Sequence, residues 1–229
     1  MMHTYTKAED IEKRSFEIIM EELEREHGAA LRRFDKSLLP VLLRVIHTTA
    51  DFSWVETLRA SDGALAAVVQ ALREGAVIVT DTRMAEAGID KKRLHQWGGT
   101  VLCFMADADV AEQAKQNGTT RAVASMDKAA RLCRTSNAPF IFAIGNAPTA
   151  LARLCELSAA EGDDASGGIA KGFKPRLVIG MPVGFVNVVE SKDLLLSSAL
   201  LSITAPGRKG GSAVAAAICN GLLRIAGGE

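Results

Sequence analysis

A glycine-rich turn with two adjacent cations is the segment of this sequence best suited to bind an anion. The turn reads Gly207-Arg-Lys-Gly-Gly-Ser212 and leads into a helical pattern. At such a turn, free backbone N–H groups and the positive end of a helix dipole attract negative charge. The GxxxxGKS/T pattern of a phosphate-binding loop is absent, and no GxGxxG follows a predicted strand. The turn therefore favours a carboxylate or phosphate ligand and disfavours a dinucleotide cofactor.

Cysteine and histidine, which often act as metal ligands or nucleophiles, show no ligand spacing here. The four cysteines are widely separated, form no CxxC pair and lie in apolar runs, and no HxxxH motif is present. We expect buried thiols in a reducing compartment and no protein-bound metal. Taken alone, His47 follows an apolar helical stripe and is most simply a packing residue. Asp81 lacks the adjacent acidic pair of a phosphorylated receiver domain.

The strands that must position these residues are predicted from short apolar runs. Five such runs lie at 76–80, 100–105, 139–144, 176–180 and 199–204. They are apolar throughout, which is typical of strands that are covered on both faces in a parallel sheet. Helical patterns precede and separate them, at 8–26, 37–46, 64–73, 107–117, 122–133, 149–157 and 212–225.

Repeated strand–helix units predict an α/β fold with three layers, α/β/α. The expected architecture is a flavodoxin-like, doubly wound parallel sheet of five strands, preceded by N-terminal helices. We expect residues 1–229 to form a single domain in which the helical segment 8–58 packs on the α/β core. The segment 159–174 is rich in small and acidic residues and is expected to form an exposed loop.

The turns that follow the predicted strands define a candidate binding edge, because open parallel sheets bind ligands beyond the carboxyl ends of their strands. The first strand ends in Thr80-Asp-Thr-Arg83 and the third in Gly145-Asn-Ala-Pro. The fourth ends in Gly180-Met-Pro-Val-Gly184, with Lys192 further along the chain. The glycine-rich turn follows the fifth strand. We expect a binding site where these turns meet.

Composition and charge exclude several classes of protein. The chain has 229 residues, of which 48% are hydrophobic, enough for a substantial core. Its 27 basic and 27 acidic residues balance, which argues against nucleic acid or a lipid surface as a partner. No apolar stretch reaches the length of a membrane span, and the first residues do not resemble a signal peptide. We expect a soluble cytoplasmic protein.

Five sequence blocks lie in order along nearly the whole chain, and they are Arg44-Val-Ile-His47-Thr-Thr-Ala-Asp51, Thr80-Asp-Thr-Arg83-Met-Ala-Glu-Ala-Gly88, Gly145-Asn-Ala-Pro-Thr-Ala150, Gly180-Met-Pro-Val-Gly-Phe-Val-Asn-Val-Val-Glu-Ser-Lys192 and Gly207-Arg-Lys-Gly-Gly-Ser212. Together these blocks resemble the precorrin-8X methylmutase family of cobalamin biosynthesis. The resemblance implies a flavodoxin-like homodimer and an isomerase that moves a methyl group between neighbouring α- and β-carbons of ring C in a corrin precursor. The implied product is hydrogenobyrinate, or cobyrinate where the substrate already carries cobalt.

The same resemblance implies roles for individual residues. His47 is expected to be the catalytic proton donor and acceptor, since imidazole exchanges a proton near neutral pH. Protonation of a ring nitrogen would make the conjugated system electron-poor, as a 1,5-methyl shift requires. Contacts to the substrate, which carries several carboxylates, are expected from Ser15, Arg44, Thr80, Arg83, Gly184, Lys192, Arg208, Lys209 and Gly210. No cofactor or metal site is implied, and any cobalt would belong to the substrate.

Two other classes of function remain open from the residues alone. A non-catalytic tetrapyrrole-binding or delivery protein would need the same basic strand ends, but it would not need His47. A small-anion enzyme or receiver-like domain would use the same scaffold, and the isolated Asp81 weakens that interpretation. Whether the substrate is metal-free or contains cobalt also remains open.

Overall fold

The computed structural model describes residues 8–160 and 173–228, so most of the loop predicted at 159–174 lies outside the described residues. The strands are β1 Arg59–Ala60, β2 Val77–Thr80, β3 Thr100–Leu102, β4 Phe140–Ile144, β5 Leu177–Gly180 and β6 Ser202–Thr204. The helices are α1 Ala8–Glu26, α2 Gly28–Arg33, α3 Leu39–Thr49, α4 Trp54–Thr57, α5 Ala64–Arg73, α6 Arg83–Gly88, α7 Lys91–His95, α8 Ala108–Gln116, α9 Arg121–Thr135, α10 Pro148–Ala159, α11 Val188–Ser197 and α12 Ser212–Ala226. A short 3-10 turn, Lys36–Leu38, precedes α3.

The order of the strands confirms the predicted fold class. Within the described ranges, the sheet has six strands in the order β1-β6-β5-β4-β2-β3. Strands β2 to β6 are parallel and correspond to the five predicted runs. Counted along the chain, these five have the order 2-1-3-4-5, which is the flavodoxin-like arrangement.

The sequence prediction missed one strand and several helices of the described residues. Strand β1 pairs antiparallel with β6, so the sheet is mixed and not wholly parallel. Strand β1 has only two residues, which are too few to show a recognisable pattern of apolar residues. Helices α2, α4, α6 and α7 are similarly short, with only 4 to 6 residues. The longer α11 lacks a one-sided apolar stripe, because Leu194 and Leu196 are exposed on either side of the buried Leu195.

The side chains of β4 show why the strands are apolar throughout. Ile141 and Ala143 belong to the buried cluster on one face of the sheet, whereas Phe140, Phe142 and Ile144 belong to the cluster on the other. The first cluster includes residues of α1, α3, α5 and α12, and the second includes residues of α9 and α10. Helices therefore cover both faces, as the continuous apolar runs predict.

Helix α3 packs closely on α12 through a glycine. A Cβ atom at Gly221 of α12 would lie 2.8 Å from the Cα atom and 3.1 Å from the Cγ2 atom of Val41 in α3. The absence of a side chain at this position allows the two helices to approach. Val41, Leu42, Val45 and Ile46 are buried in the cluster that also contains α12. On these contacts we propose that the N-terminal helices and the α/β core form one domain.

A buried carboxylate joins the carboxyl ends of β2 and β4. Asp81 is 1% exposed, and its oxygens accept the backbone N–H groups of Gly145, Asn146 and Ala147 at 2.8, 2.8 and 2.7 Å. Burial raises the pKa of Asp81 above its usual value, although the three hydrogen bonds offset part of this effect. Its oxygens are thus engaged within the protein, which argues against a receiver-like role.

We expect Asp81→Ala to lower the free energy of unfolding by about 1–3 kcal/mol, because three N–H groups lose their acceptor. Urea unfolding followed by circular dichroism measures the change. Asp62→Ala is the matched control, since Asp62 is exposed and surface changes usually shift stability by less than about 0.5 kcal/mol. Equal stability of the two variants would contradict the structural role of Asp81.

Candidate functional site

His47 lies in the last turn of α3, immediately after the buried stripe of that helix. Val45 and Ile46 are buried against the core, whereas His47 is exposed. The helix ends at Thr49, and the next residue, Ala50, has a left-handed backbone with φ of +51°. The sequence alone favours a packing role for this histidine, but the structure turns its ring away from the core.

Two residues of α1 hold the imidazole ring. The Oγ atom of Ser15 lies 2.8 Å from Nδ1 of His47, and the hydroxyl donates or accepts according to the tautomer. The ring of Phe16 meets the imidazole edge-on, with 5.6 Å between the ring centroids. Within the described residues, Nε2 of His47 has no hydrogen-bond partner. The arrangement fixes one side of the ring and leaves Nε2 available to a ligand.

An ion-pair cluster ties α1 to both α3 and α12. Oε1 of Glu12 lies 2.5 Å from Nη2 of Arg44 and 2.6 Å from Nη2 of Arg224. The guanidinium carbon of Arg44 lies 5.2 Å from the ring centroid of Phe16. Arg44, predicted to bind substrate, is therefore paired within the protein. In this structure it positions the helix that carries Ser15 and Phe16.

The glycine-rich turn 207–212 lies against the end of β5. The backbone N–H of Gly211 donates to the carbonyl of Met181 at 2.8 Å. A Cβ atom at Gly210 would overlap that same carbonyl oxygen, so only glycine permits this approach. The φ angles of Gly207 and Gly211, +85° and +129°, also require glycine. The N–H of Gly210 has no partner among the described residues.

The side chain of Lys192 supports this turn from inside the protein. Its ammonium group donates to the carbonyl of Gly207 at 3.0 Å and to that of Lys209 at 2.5 Å. The side chain is fully buried, and burial lowers its pKa from 10.5 to about 8. Lys192 was predicted to bind a substrate carboxylate. The structure instead places its ammonium group inside the protein, where it holds the turn.

Lys209 connects the turn to the segment that follows His47. Its ammonium group lies 2.7 Å from Oδ2 of Asp51 and 2.7 Å from Oγ of Ser53. Partial burial raises the pKa of Asp51, but hydrogen bonds from Lys209 and Ser53 outweigh this and hold it below its usual value. This ion pair brings the end of α3 to the carboxyl edge of the sheet. The segment that follows His47 is therefore held to the basic turn, and a single site that contains both remains a prediction.

The remaining predicted residues divide into buried and exposed groups. Thr80 is buried and donates to the carbonyl of Thr82 at 3.0 Å, so its hydroxyl faces the protein. Arg83 is exposed at the start of α6, and the hydroxyls of Thr82 and Ser212 lie 2.7 Å apart beside it. Exposed Arg208 completes the group and has no acidic partner among the described residues. Arg83 and Arg208 are thus the cations most open to a ligand.

Two residues of this site have no role predicted from the sequence. Asp51 lies inside the blocks that carry the resemblance, while Phe16 lies outside them. Their function depends on contacts between distant segments, which spacing along the chain does not reveal. Asp51 offered one usable signal, because it is the acidic residue of the block that contains His47.

The cysteines and acidic residues of the described ranges form neither a metal site nor a reactive thiol site. No cluster of three or more His, Cys, Asp or Glu side chains occurs there that could hold a metal ion. Cys155 and Cys219 are buried as expected, whereas Cys103 and Cys133 are half-buried. Burial raises the pKa of Cys133 and Cys155 to about 11 and that of Cys219 to about 12. These three thiols stay protonated near neutral pH.

Comparisons with known sequences converge on one family. The family model described as precorrin-8X methylmutase matches residues 10–225. A cobalt-precorrin-8 methylmutase of Salmonella typhimurium is 41% identical over 97% of this chain and 97% of its own length. Another, of Priestia megaterium, is 40% identical over 95% of this chain and 88% of its own. A precorrin-8X methylmutase of Pseudomonas aeruginosa is 37% identical over 85% and 87%, respectively.

Solved structures show the same similarity. The crystal structure of precorrin-8x methyl mutase from Thermus thermophilus has a TM-score of 0.80 and 38% sequence identity, and the match covers 96% of each chain. A precorrin-8X methylmutase related protein has a TM-score of 0.72 and 30% identity over 86% of this chain and 98% of its own. The family match spans every residue of the candidate site.

Burial of Lys192 predicts the sign of one pH effect on stability. Because its pKa falls from 10.5 to about 8 on folding, the unfolded chain binds more protons between those values. Within that window, this residue makes the folded state more stable as pH rises, by roughly 1 kcal/mol per pH unit. We expect wild type to gain stability relative to Lys192→Met between about pH 8 and pH 10 in urea unfolding. If the free energy of unfolding changed equally with pH in wild type and Lys192→Met, the buried position of Lys192 would be contradicted.

Proposed function

The chain belongs to the precorrin-8X methylmutase family, and from that premise we propose how its site acts on a corrin precursor. As a member of the family it is an isomerase of cobalamin biosynthesis that catalyses an intramolecular methyl shift. We propose that the methyl group moves from an α-carbon to the neighbouring β-carbon of ring C in precorrin-8X or cobalt-precorrin-8. One carbon–carbon bond breaks and another forms, so no oxidant or reductant is consumed.

His47 is the proposed proton donor and acceptor. The observation that carries this role is the exposed imidazole whose Nδ1 is engaged by Ser15 while Nε2 has no partner among the described residues. Transfer of a proton from Nε2 to a ring nitrogen withdraws electron density from the conjugated system. The methyl group then migrates, and the proton returns to the imidazole. In this scheme Ser15 orients the ring and sets its tautomer, so it acts as a positioning residue.

The carboxyl ends of the parallel strands, together with the exposed cations Arg83 and Arg208, form a basic edge of the sheet. This basic edge is the proposed site for the substrate's carboxylates. A protein with equal numbers of acidic and basic residues must concentrate its cations locally to bind a polyanion. Arg83 and Arg208 are exposed there, and the N–H of Gly210, just before α12, has no hydrogen-bond partner among the described residues. Lys192 and the Asp51–Lys209 pair keep that turn in place. The reaction as proposed needs no cofactor of the protein's own, and any cobalt belongs to the substrate.

A non-catalytic delivery protein is the less supported alternative. Such a protein would use the basic edge but would have no need for an imidazole held between Ser15 and Phe16. The comparisons name methylmutases and give no support to a carrier. The small-anion alternative is weakened by Asp81, whose oxygens already accept three backbone N–H groups.

We also infer a cytoplasmic homodimer. Two exposed isoleucine side chains of α1, Ile11 and Ile18, are seven residues apart on one side of the helix and support an interface between copies. The balance of 27 basic and 27 acidic residues argues against nucleic acid as a partner. No helix in the described ranges is long and apolar enough to cross a membrane. Sedimentation equilibrium tests the dimer, and a single chain mass would contradict it.

We expect His47→Ala to reduce the rate of conversion about 10²–10⁴-fold while product binding survives, because general acid–base catalysis contributes that much. The measurement is single-turnover conversion of precorrin-8X and of cobalt-precorrin-8, followed by visible absorption, beside a titration with hydrogenobyrinate. Running both substrates also decides which form the enzyme uses.

Two variants serve as controls for His47. His47→Asn should be as slow as His47→Ala, since an amide hydrogen-bonds but does not exchange a proton near neutral pH. His95→Ala removes an exposed histidine of α7 and should leave the rate unchanged. Conversion by His47→Ala within about threefold of wild type would refute the proton-transfer role, given the contribution expected from such a step.

We expect Arg208→Glu to weaken product binding at low salt by at least about tenfold, since charged hydrogen bonds contribute about 1.5–3 kcal/mol each. Unfolding should change little, because the side chain is exposed. Arg176→Glu is the matched control: Arg176 is exposed just before β5, at the opposite edge of the sheet. Equal affinities for the two variants would place the carboxylates elsewhere.

A further inference from the structure

The turn between β5 and α11 holds large apolar side chains in solvent. Val183, Phe185 and Val186 are 46%, 82% and 77% exposed. Phe185 is by far the most exposed aromatic residue in the described part of the chain. Neighbouring apolar side chains left in water are typical of a surface that binds a ligand or a partner. The proposed proton transfer and carboxylate contacts leave these residues without a role.

The backbone of this turn is built to keep the apolar residues outward. Gly184, directly before Phe185, has a φ of +136°, and Asn187, directly after Val186, has a φ of +57°. Both angles are positive, a conformation that glycine and asparagine adopt more readily than other residues, so these two residues define the shape of the turn. The N–H of Gly184 donates to the carbonyl of Arg208 at 3.3 Å. The exposed turn is thus anchored to the glycine-rich turn.

A cation lies next to the exposed aromatic ring. The guanidinium carbon of Arg208 is 5.4 Å from the ring centroid of Phe185. Lys209, the next residue, is bound to Asp51, which follows His47 on the chain after only three residues. Contacts therefore lead from Phe185 through Arg208 and Lys209 to Asp51, four residues after the proposed catalytic residue in the sequence. The chemistry of this surface is an apolar face with a cationic rim.

We propose that Phe185 and Val186 form an apolar subsite that packs against the face of the substrate macrocycle, while Arg208 binds a carboxylate at its edge. A corrin precursor combines a broad apolar ring with peripheral carboxylates, which matches an apolar face rimmed by Arg208. The exposed guanidinium of Arg208 beside the Phe185 ring places a cation at the border of the apolar side chains, as a ligand with carboxylates at its rim requires. This inference rests on the proposed function, since it takes the substrate to be a corrin precursor.

The test compares variants of Phe185 in a titration with hydrogenobyrinate. Phe185→Ser should weaken binding by about tenfold or more, because it removes the apolar area that the macrocycle would cover. Phe185→Leu should stay within about threefold of wild type, since it keeps most of that area. Val186→Ser is a second, independent variant and should weaken binding in the same direction.

Leu132→Ser provides the matched control. Leu132 is also an exposed apolar residue, but it lies in the last turn of α9, which leads into β4 at the opposite edge of the sheet. It should leave affinity unchanged. Ionic strength provides a second readout. The loss of affinity for hydrogenobyrinate in Arg208→Gln should shrink at high ionic strength, whereas the loss of affinity in Phe185→Ser should not.

The outcomes separate this inference from the proposed function. If both Phe185→Ser and Val186→Ser bind hydrogenobyrinate as tightly as wild type, the subsite proposal is wrong. The proposed function would still stand if the wild-type protein converts precorrin-8X. If Phe185→Ser changes the sedimentation mass from dimer to monomer and affinity per chain is unchanged, the surface binds a second copy and the proposal is wrong. If wild type itself converts neither substrate, the proposed function fails, whatever the variants do.

Discussion

The close approach of the glycine-rich turn to the end of β5 is the constraint on which the site depends. At Gly210 the backbone of one segment contacts the carbonyl of Met181 with no room for a side chain between them. Two carbonyl groups of the turn point inward and are met by the ammonium group of Lys192. Burying that charge is costly in itself, and the two hydrogen bonds offset the cost. The result is a rigid turn that presents its outward face to a ligand.

From this turn, a series of polar contacts places the imidazole. Lys209 binds Asp51, and the glycine contact between α12 and α3 fixes the direction from which the helix arrives. Helix α1 then supplies Ser15, and Glu12 holds α1 to its neighbours through Arg44 and Arg224. The N-terminal helices are therefore more than a cover for the core. They complete the proposed site, whose other half lies at the carboxyl ends of the strands.

Much of this architecture could be predicted from the sequence, and the limits have physical causes. Strands buried on both faces give uninterrupted apolar runs, so the sequence predicts β2 to β6, whereas an anion site at the glycine-rich turn stays a prediction. Side-chain environment is a different matter. Lys192 and Arg208 are both cations at strand ends, yet one is buried beneath the turn and the other is exposed upon it. The packing of α11 and β6 determines which of the two cations is buried, and spacing along the chain does not reveal that packing.

Three backbone N–H groups donate to Asp81 and are therefore not available to another anion, which changes the electric field at this edge of the sheet. The segment 145–147 opens α10 as the glycine-rich turn opens α12, so both would attract anions at the same edge of the sheet. The internal carboxylate neutralises the first of these positions. Attraction is left concentrated on one side of the edge. A polyanion that approaches this edge therefore meets a stronger positive field beside the glycine-rich turn than beside the segment 145–147.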